Sequence, residues 1–299
     1  MPEQTDRSHF PMLVAASLAA TWFVWGSTYL AIKFALVSLP PFLGMGTRFI
    51  VAGGILIAWT LARGRSLPTA LQWRNAAVVG ALMLGGGMGG TAYAEQSVAS
   101  GLVVAFIVIT PGVMTLLNLL YGLRPSRLET IGIAIGIAGV LFLVRGSAFS
   151  GSPSGLSAIF LGCVCWSVGS VLSQRSLPLA PAAVGFASEM LCGGVFLLIM
   201  AYIAGEPIPR QVELGAIAAW GYLVVFGSLI AFNAYMTLLA HTSAALATSY
   251  TFVNPIIAMI LGIWLGGEVV TGHEWVASGV IVIGVIILVL ARARTAPQQ

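Results

Sequence analysis

The chain has 299 residues, a net charge of +4, 59% hydrophobic residues and only 7% charged residues. Soluble domains carry about 25% charged residues, so this composition excludes a water-soluble globular protein and indicates an integral membrane protein. The sequence pI of about 9.2 requires no nucleic-acid partner, because the basic residues lie in short loops between apolar runs, where they set membrane orientation.

Apolar runs of about 20 residues recur along the chain, and this is the length that an α-helix needs to cross a hydrocarbon core of about 30 Å. Strands of a membrane barrel would instead show segments of about 10 residues with strict alternation. The sequence therefore predicts an all-α protein. Its ten predicted spans are 12–36, 41–61, 76–95, 98–120, 128–145, 154–174, 182–204, 215–236, 244–264 and 272–290.

The basic residues predict the orientation, because cytoplasmic loops hold the excess of Lys and Arg. With the N-terminus inside, only Lys33, Arg145 and Arg210 lie on the outer side. The basic residues then predicted to face the cytoplasm are Arg7, Arg63, Arg65, Arg74, Arg124, Arg127, Arg175, Arg292 and Arg294. Both termini of this multi-pass protein are therefore predicted to be cytoplasmic.

The second half of the sequence repeats features of the first. Arg48 and Gly53 match Glu189 and Gly194 at one shift of 141 residues (189 − 48). Because five spans is an odd number, the second repeat enters the membrane from the opposite side, and many secondary transporters have such inverted repeats. The sequence predicts two inverted five-helix repeats around a central cavity. These repeats are residues 1–147 and 153–299, joined by a Gly- and Ser-rich linker.

Prolines mark equivalent positions in spans four and nine. Pro111 and Pro255 are related by a shift of 144 residues (255 − 111), and each follows a polar residue, Thr110 or Asn254. A proline inside a helix removes its own N–H and frees the carbonyl four residues earlier. Two interpretations are open: a kink whose freed groups are satisfied by neighbouring side chains, or a polar-lined pair of helices at a binding cavity.

Glycines are concentrated in span three. Small residues spaced four apart let helices approach closely in lipid, and a glycine-rich wall beside a cavity also suits a protein that opens alternately to each side. The glycines of this span are Gly80, Gly85, Gly86, Gly87, Gly89 and Gly90.

Ionisable residues inside apolar spans point to function, because a charge at mid-bilayer costs about 2.5–3.5 kcal/mol even on lenient scales. For Arg48, structural ion pairing and a substrate or gate contact are both open, and an Arg48–Glu95 or a Lys33–Glu95 contact is expected near the outer surface. Glu189 has no evident cationic partner, so it is the first candidate for proton coupling, with downhill facilitated transport as the alternative.

Other reactive side chains are predicted to be structural. Glu129 and Glu274 are each the third residue after Ser126 or Thr271, the spacing of a helix capping box. The cysteines lie inside spans, and Cys-x-Cys on a helix is neither a redox pair nor a usual zinc spacing. These cysteines, predicted to pack as small residues, are Cys163, Cys165 and Cys192.

Aromatic residues on the spans are candidates for a cavity wall, although Trp and Tyr are also enriched at membrane interfaces. Trp25 and Trp166 favour the cavity, because both lie deep in their spans and small polar residues, such as Ser27, follow them. The full aromatic set is Trp22, Trp25, Tyr29, Tyr93, Trp166, Tyr235 and Tyr250.

A family resemblance rests on Trp25-Gly26-Ser27-Thr28 with Lys33, on Pro41 with Arg48, and on the mid-helix Pro111 and Pro255. With these motifs the whole chain resembles EamA-type members of the drug/metabolite transporter superfamily, and within it the bacterial aromatic amino-acid exporters called YddG. The resemblance implies ten helices around a central cavity and export of small organic metabolites across the inner membrane, without a cofactor or metal.

The function expected from these features is a secondary transporter in the bilayer of the bacterial inner membrane, exporting amino acids, aromatic ones included, by alternating access. Export of drugs or other metabolites is the alternative, and a scaffold or sensor has no need for inverted repeats. An intramembrane enzyme would need a nucleophile with a base, or a metal cluster, and no such motif is present. The candidate site residues are Trp25, Ser27, Tyr29, Arg48, Tyr93, Glu95, Thr110, Pro111, Trp166, Glu189, Tyr235, Tyr250, Asn254 and Pro255.

Overall fold

A computed structural model describes residues 9–98, 103, 106–143, 145, 152–266 and 272–295. The described residues form ten long helices, which confirms the predicted all-α membrane fold. The helices are α1 His9–Ala35, α2 Pro41–Ala62, α3 Ala70–Ala94, α4 Thr110–Leu120, α5 Arg127–Leu143, α6 Pro153–Arg175, α7 Ala183–Ile203, α8 Leu214–His241, α9 Tyr250–Gly266 and α10 Gly272–Thr295. Six of these helices, α1 to α3 and α6 to α8, are long and apolar enough to cross a membrane.

Local sequence explains where several helices begin. Pro41 and Pro153 each occupy the first turn of a helix, where the missing N–H costs nothing. The predicted capping box before α5 is confirmed, because the Ser126 N–H donates to Glu129 Oε2 at 2.9 Å and the Glu129 N–H donates to Ser126 Oγ at 3.2 Å. The equivalent box at Thr271 and Glu274 lies outside the residues whose side chains are described.

The helices pair across the two halves according to a two-fold pattern. Helix α2 packs against its own equivalent α7, and α5 packs against α10. The larger of the remaining contacts occur in matched pairs: α1 packs on α8 as α6 packs on α3, and α1 packs on α9 as α6 packs on α4. Exchanging each helix for the one five places further along thus leaves this packing unchanged.

Glycines at the α2–α7 contact show how the halves are related. A Cβ atom at Gly53 would lie 3.0 Å from Ala187 O, and a Cβ atom at Gly194 would lie 3.0 Å from Gly46 O. These two contacts exchange under the shift of 141 residues (194 − 53 and 187 − 46). Rising numbers in α2 meet falling numbers in α7, so the equivalent helices are antiparallel.

The α5–α10 contact repeats this arrangement. A Cβ atom at Gly139 would lie 3.1 Å from Ile281 N, and a Cβ atom at Gly284 would lie 2.8 Å from Gly136 N. These contacts exchange under a shift of 145 residues (284 − 139 and 281 − 136). Equivalent helices that pack antiparallel are related by an axis perpendicular to their length, and this is the geometry of an inverted repeat.

Helices α3 and α8 share an interruption of the α-helical pattern. Residues Ala81–Gly89 of α3 and Leu223–Phe232 of α8 have π-helical hydrogen bonding. The first stretch accommodates close neighbours through its glycines: a Cβ atom at Gly86 would lie 2.7 Å from Cys165 Cβ of α6. π-Helical stretches are rare and occur mainly at functional sites, so these two segments point to the region between them.

Hydrogen bonds between loops define the two ends of the bundle. Asn75 Nδ2 donates to Pro178 O at 2.9 Å, and the hydroxyls of Tyr121 and Ser176 lie 2.9 Å apart. These bonds join the start of α3, the end of α4 and the end of α6 at one end, which we call the basic end. It carries Arg63, Arg65, Arg74, Arg124, Arg127 and Arg175.

The other end, called the opposite end, is held by different bonds. The Glu206 carboxylate accepts hydrogen bonds from Phe42 N at 3.0 Å and Leu43 N at 2.7 Å, and the Ser38 hydroxyl accepts one from Glu213 N at 3.2 Å. The loop between α7 and α8 is therefore joined to the start of α2. This contact crosses from one half of the chain to the other.

Several predicted boundaries are corrected. Helix α3 begins at Ala70, before the predicted start of its span at 76, because Thr69 and Gln72 form a capping box that the apolar pattern does not show. Pro111 does not lie deep in a helix: it is in the first turn of α4, whereas Pro255 is inside α9. The prolines share a sequence position but not a structural role.

Candidate functional site

A cavity of about 490 Å³, its open part included, lies between α1, α3, α6 and the starts of α4 and α9. Ile32 and Thr91 of its lining stand three residues before the ends of α1 and α3, so the cavity lies nearer the opposite end. The lining residues are Trp25, Thr28, Tyr29, Ile32, Gly87, Met88, Thr91, Ile107, Thr110, Gly162, Cys163, Trp166 and Tyr250.

Four aromatic rings form the inner wall of this cavity and the packing behind it. Trp25 makes edge contacts with Tyr250, at 4.6 Å between ring centroids, and with Trp166, at 5.6 Å. Tyr235 is fully buried behind them, with its ring 5.2 Å from both indoles. The predicted aromatic wall thus brings together Trp25, Trp166 and Tyr250 at the cavity, with Tyr235 in a second layer.

The indole N–H groups of the wall donate to protein atoms. Trp25 Nε1 donates to Gly227 O at 3.2 Å, and Trp166 Nε1 donates to the hydroxyl of Tyr235 at 3.0 Å. The Tyr235 hydroxyl also lies 2.9 Å from Ser170 Oγ. These bonds fix the orientation of both indoles.

The threonines of the lining also use their donors within the protein. Thr28 Oγ1 donates to Trp25 O at 2.8 Å, and Thr91 Oγ1 donates to Gly87 O at 2.9 Å. Each hydroxyl oxygen keeps a free lone pair, so the cavity wall offers acceptors.

Asn254 and Glu95 do not line the cavity but lie next to residues that do, Asn254 beside Tyr29 and Glu95 one helical turn beyond Thr91. Asn254 Nδ2 donates to the Tyr29 hydroxyl at 3.3 Å, while its buried Oδ1 has no hydrogen-bond partner. Both carboxylate oxygens of Glu95 are likewise buried without a hydrogen-bond partner. The charge of Glu95 acts on Tyr29 and Lys33 from a distance, but the expected Lys33–Glu95 contact is not formed, because neither Glu95 oxygen has a hydrogen-bond partner.

Arg48 does not contact Glu95, contrary to one of the two contacts expected. Its side chain is 1% exposed and lies between α2 and α8, where Nε donates to Ser228 Oγ at 2.8 Å. Its Cζ lies 4.8 Å from the centroid of the Phe49 ring. Because Ser228 belongs to the π-helical stretch of the second half, Arg48 joins the two halves behind the cavity wall.

Glu189, the equivalent of Arg48, is also fully buried, but its two carboxylate oxygens have no hydrogen-bond partner. It lies in α7 within electrostatic range of Tyr235. Glu189 does not line the cavity. It lies behind the aromatic wall, on the side of Tyr235.

Tyr93 lies away from this cavity, in a second one at the opposite end. Its ring stacks on Phe42, with 5.9 Å between centroids and 10° between planes. This second cavity is bordered by the loop that follows α1, by Gln96 and by Glu206.

The remaining predicted residues are distributed around α1, α4 and α9. Ser27 Oγ lies 2.6 Å from the Tyr222 hydroxyl of α8 and does not line the cavity. Thr110 lines it, whereas Pro111 and Pro255 lie within their helices beside it.

Sequence reasoning omitted several lining residues from the candidate set, among them Thr28, Ile32, Gly87, Met88 and Cys163. On α1 the missed signal was spacing: Trp25, Thr28, Tyr29 and Ile32 stand at i, i+3, i+4 and i+7, which places them on one face.

Comparisons with known proteins agree with this architecture. The EamA-like transporter family matches residues 12–145 and again residues 153–290. The uncharacterized inner membrane transporter YedA of Escherichia coli (strain K12) is 42% identical over 277 residues, covering 92% of this chain and 90% of YedA. Protein PecM of Dickeya dadantii (strain 3937) is 27% identical, covering 92% of this chain and 94% of PecM.

A protein of known crystal structure shares the fold. It matches with a TM-score of 0.76 over 98% of this chain and 100% of its own length, at 23% sequence identity. Together with the repeated family match and the identity to YedA, the ten-helix architecture assigns the family: the chain belongs to the EamA-like transporter family.

Proposed function

We propose that this membrane transporter exports small organic metabolites, with amino acids, aromatic ones included, as its first substrate class. The observation that carries the proposal is the cavity between the two halves, whose wall combines the rings of Trp25, Trp166 and Tyr250 with the hydroxyls of Thr28 and Thr91. Aromatic surface with a few fixed polar groups is typical of sites for small, partly apolar ligands. The overall resemblance of the sequence to the YddG exporters supports the same substrate class.

The proposed mechanism is alternating access between two inverted repeats, residues 1–147 and 153–299. Support comes from the two π-helical stretches. The stretch in α3 borders the cavity, and the stretch in α8 contains Ser228, which accepts a hydrogen bond from Arg48. A site at the interface of two repeats is exposed to alternate sides when one repeat rocks against the other. In this mechanism Arg48 and Glu206 act at contacts between the halves, and the aromatic residues hold the substrate.

The proposed orientation places the basic end in the cytoplasm, with both termini there, and the opposite end in the periplasm. The positive-inside rule supports it, because six arginines in loops and helix ends are at the basic end, whereas Lys33, Arg145 and Arg210 are at the other. YedA, an inner membrane transporter, supports the bacterial inner membrane as the location. In this orientation the cavity lies in the periplasmic half.

Counterflow in proteoliposomes tests the function. Vesicles loaded with unlabelled L-phenylalanine should accumulate external labelled L-phenylalanine transiently when they contain the protein, and protein-free vesicles should not. Parallel assays with labelled neutral amino acids and with dyes or drugs separate the amino-acid proposal from its alternative. If dyes exchange and amino acids do not, the substrate class is wrong; if nothing exchanges, a non-transporting scaffold or sensor is favoured.

Energy coupling is tested in the same vesicles with an imposed pH gradient. We propose Glu189 as the proton-coupling residue, because it is a buried carboxyl group without a hydrogen-bond partner and such groups within a membrane are commonly functional. Equilibration that is indifferent to the gradient would instead establish facilitated diffusion.

A further inference from the structure

We propose that the cavity recognises its substrate by an ammonium group, held by Glu95 together with Asn254 and Tyr29, and that a substrate carboxylate is not required. This inference rests on the proposed transport function and names its substrate class more narrowly: aromatic or apolar primary amines, including amino acids through their amino group.

The first argument is the balance of donors and acceptors. The N–H or O–H groups of Trp25, Trp166, Thr28 and Thr91 all donate to protein atoms. Of these four side chains, only the two threonine oxygens can still form a hydrogen bond, as acceptors through their lone pairs. These free lone pairs on Thr28 and Thr91 fit a ligand that donates hydrogen bonds.

The second argument is the set of buried acceptors at the periplasmic side of the cavity. Asn254 is 1% exposed and its Oδ1 has no hydrogen-bond partner, although its Nδ2 binds Tyr29 in the cavity wall. Both oxygens of Glu95 are buried and also lack a hydrogen-bond partner. A buried polar atom without a partner is costly, and an ammonium group supplies three donors that satisfy such atoms.

The third argument is position. The Glu95 N–H donates to Thr91 O at 3.0 Å, which places Glu95 one helical turn beyond a residue of the lining. Glu95 also interacts electrostatically with Tyr29, which lines the cavity. Its cationic neighbour Lys33 is exposed at the surface, where solvent weakens its effect on Glu95.

The fourth argument is the absence of a cation where a carboxylate would need one. Among the described residues, no Lys or Arg lines the cavity. Arg48 donates to Ser228 instead, and a Cβ atom at Gly227 would lie 2.6 Å from Arg48 Nη2 and 3.3 Å from Thr28 Cγ2, so the guanidinium lies beside Thr28 but is held by Ser228. The rings of Trp25 and Trp166 add attraction for a cation.

Ligand binding to the purified full chain in detergent tests the proposal without depending on transport. Calorimetric titrations would compare phenethylamine and L-phenylalanine with 2-phenylethanol and 3-phenylpropionate, which keep the ring but lack the ammonium group. We expect the two amines to bind at least about tenfold more tightly than the other two, the effect of one charge-assisted hydrogen bond. Equal or tighter binding of 3-phenylpropionate, or no binding of either amine, would overturn the proposal.

Glu95→Gln identifies the group responsible. We expect about a tenfold loss of phenethylamine affinity with no change for 2-phenylethanol, and Glu213→Gln, which removes an exposed carboxylate at the same end, should change neither. An amine preference that survives in a folded Glu95→Gln protein would contradict the assignment.

A second variant covers the case in which Glu95→Gln fails to fold. Asn254→Asp adds a charge beside Tyr29 and should raise the preference for phenethylamine over 2-phenylethanol, and an unchanged or lowered preference would count against the site. The proposed transport function fails by a different result, the absence of exchange in proteoliposomes.

Discussion

Tyr93 of α3 and Tyr235 of α8 each follow an alanine and are equivalent by a shift of 142 residues (235 − 93). The two halves nevertheless place these tyrosines differently. Tyr235 is fully buried, with its hydroxyl bound to Trp166 and Ser170. Tyr93 stacks on Phe42 at the opposite end. The ring of Tyr235 therefore packs against the aromatic wall, whereas its equivalent, Tyr93, makes no such contact and leaves the cavity open.

Arg48 and Glu189 show the same divergence. Arg48 binds Ser228 across the interface, whereas the Glu189 carboxylate has no hydrogen-bond partner. The backbone contacts around them, such as Gly53 with Ala187, nevertheless exchange under the repeat. The repeat symmetry thus governs helix packing, whereas the side chains of these two residues depart from it.

The largest effect is expected where the symmetric packing itself is broken. Gly53→Val puts side-chain atoms against Ala187 O, Leu191 N and the Leu191 side chain, each about 3.0 Å from a Cβ atom, and should cost about 1–3 kcal/mol or more of stability. Thermal unfolding in detergent would measure this. Gly54→Val is the matched control, because a Cβ atom there meets nothing within 4 Å; equal losses in both variants would refute close packing of α2 on α7.

Filling the cavity should abolish transport while leaving the fold intact. Met88 lines the cavity, and its equivalent by the 142-residue shift, Ile230, is 43% exposed on the outside of α8. We expect Met88→Trp to reduce counterflow at least about tenfold. Ile230→Trp should reduce it less than about twofold, and a similar loss in both would mean that the asymmetric cavity is not the pathway.

Glu189→Gln separates coupling from substrate binding. Since Glu189 lies behind the wall and not in the lining, counterflow should continue in the variant, while accumulation driven by a pH gradient should disappear. Glu213→Gln should retain both activities. Gradient-driven accumulation that persists in Glu189→Gln would remove this residue from the coupling mechanism.

The smallest effect is expected at the contact of Glu206 with the start of α2, at the opposite end. Glu206→Gln removes the charge that binds the Phe42 and Leu43 N–H groups at the start of α2, and the loss should be about 1 kcal/mol, as for other helix N-terminal contacts. Unfolding in detergent measures it. A stability unchanged relative to Glu213→Gln would mean that Glu206 does not hold the halves together.

The sequence predicted the fold and the aromatic residues better than the rest of the site. Trp25 and Trp166 were identifiable because the repeat aligns them deep in their spans, and the cap at Ser126 and Glu129 follows from local spacing alone. In a membrane helix both the buried and the lipid-facing sides are apolar, so hydrophobic periodicity does not reveal which face meets a cavity. Thr28 and Cys163 were missed for this reason.

The sequence also does not reveal which side chains meet across the interface between the two halves. Arg48 binds Ser228 because α8 passes behind α1 at its π-helical stretch, and neither the crossing point nor the stretch follows from local composition. Pro111 shows a related limit, since the repeat predicts an equivalent of Pro255 but the chain starts α4 there instead.

Thiol labelling with substrate protection tests most directly whether this asymmetric cavity binds the substrate. In a background without the three native cysteines, Met88→Cys and Ile230→Cys would be labelled by a maleimide with and without L-phenylalanine. The account predicts that L-phenylalanine slows labelling at position 88 and leaves position 230 unaffected. Equal labelling rates at position 88 with and without L-phenylalanine, for a protein that exchanges this amino acid in proteoliposomes, would contradict it.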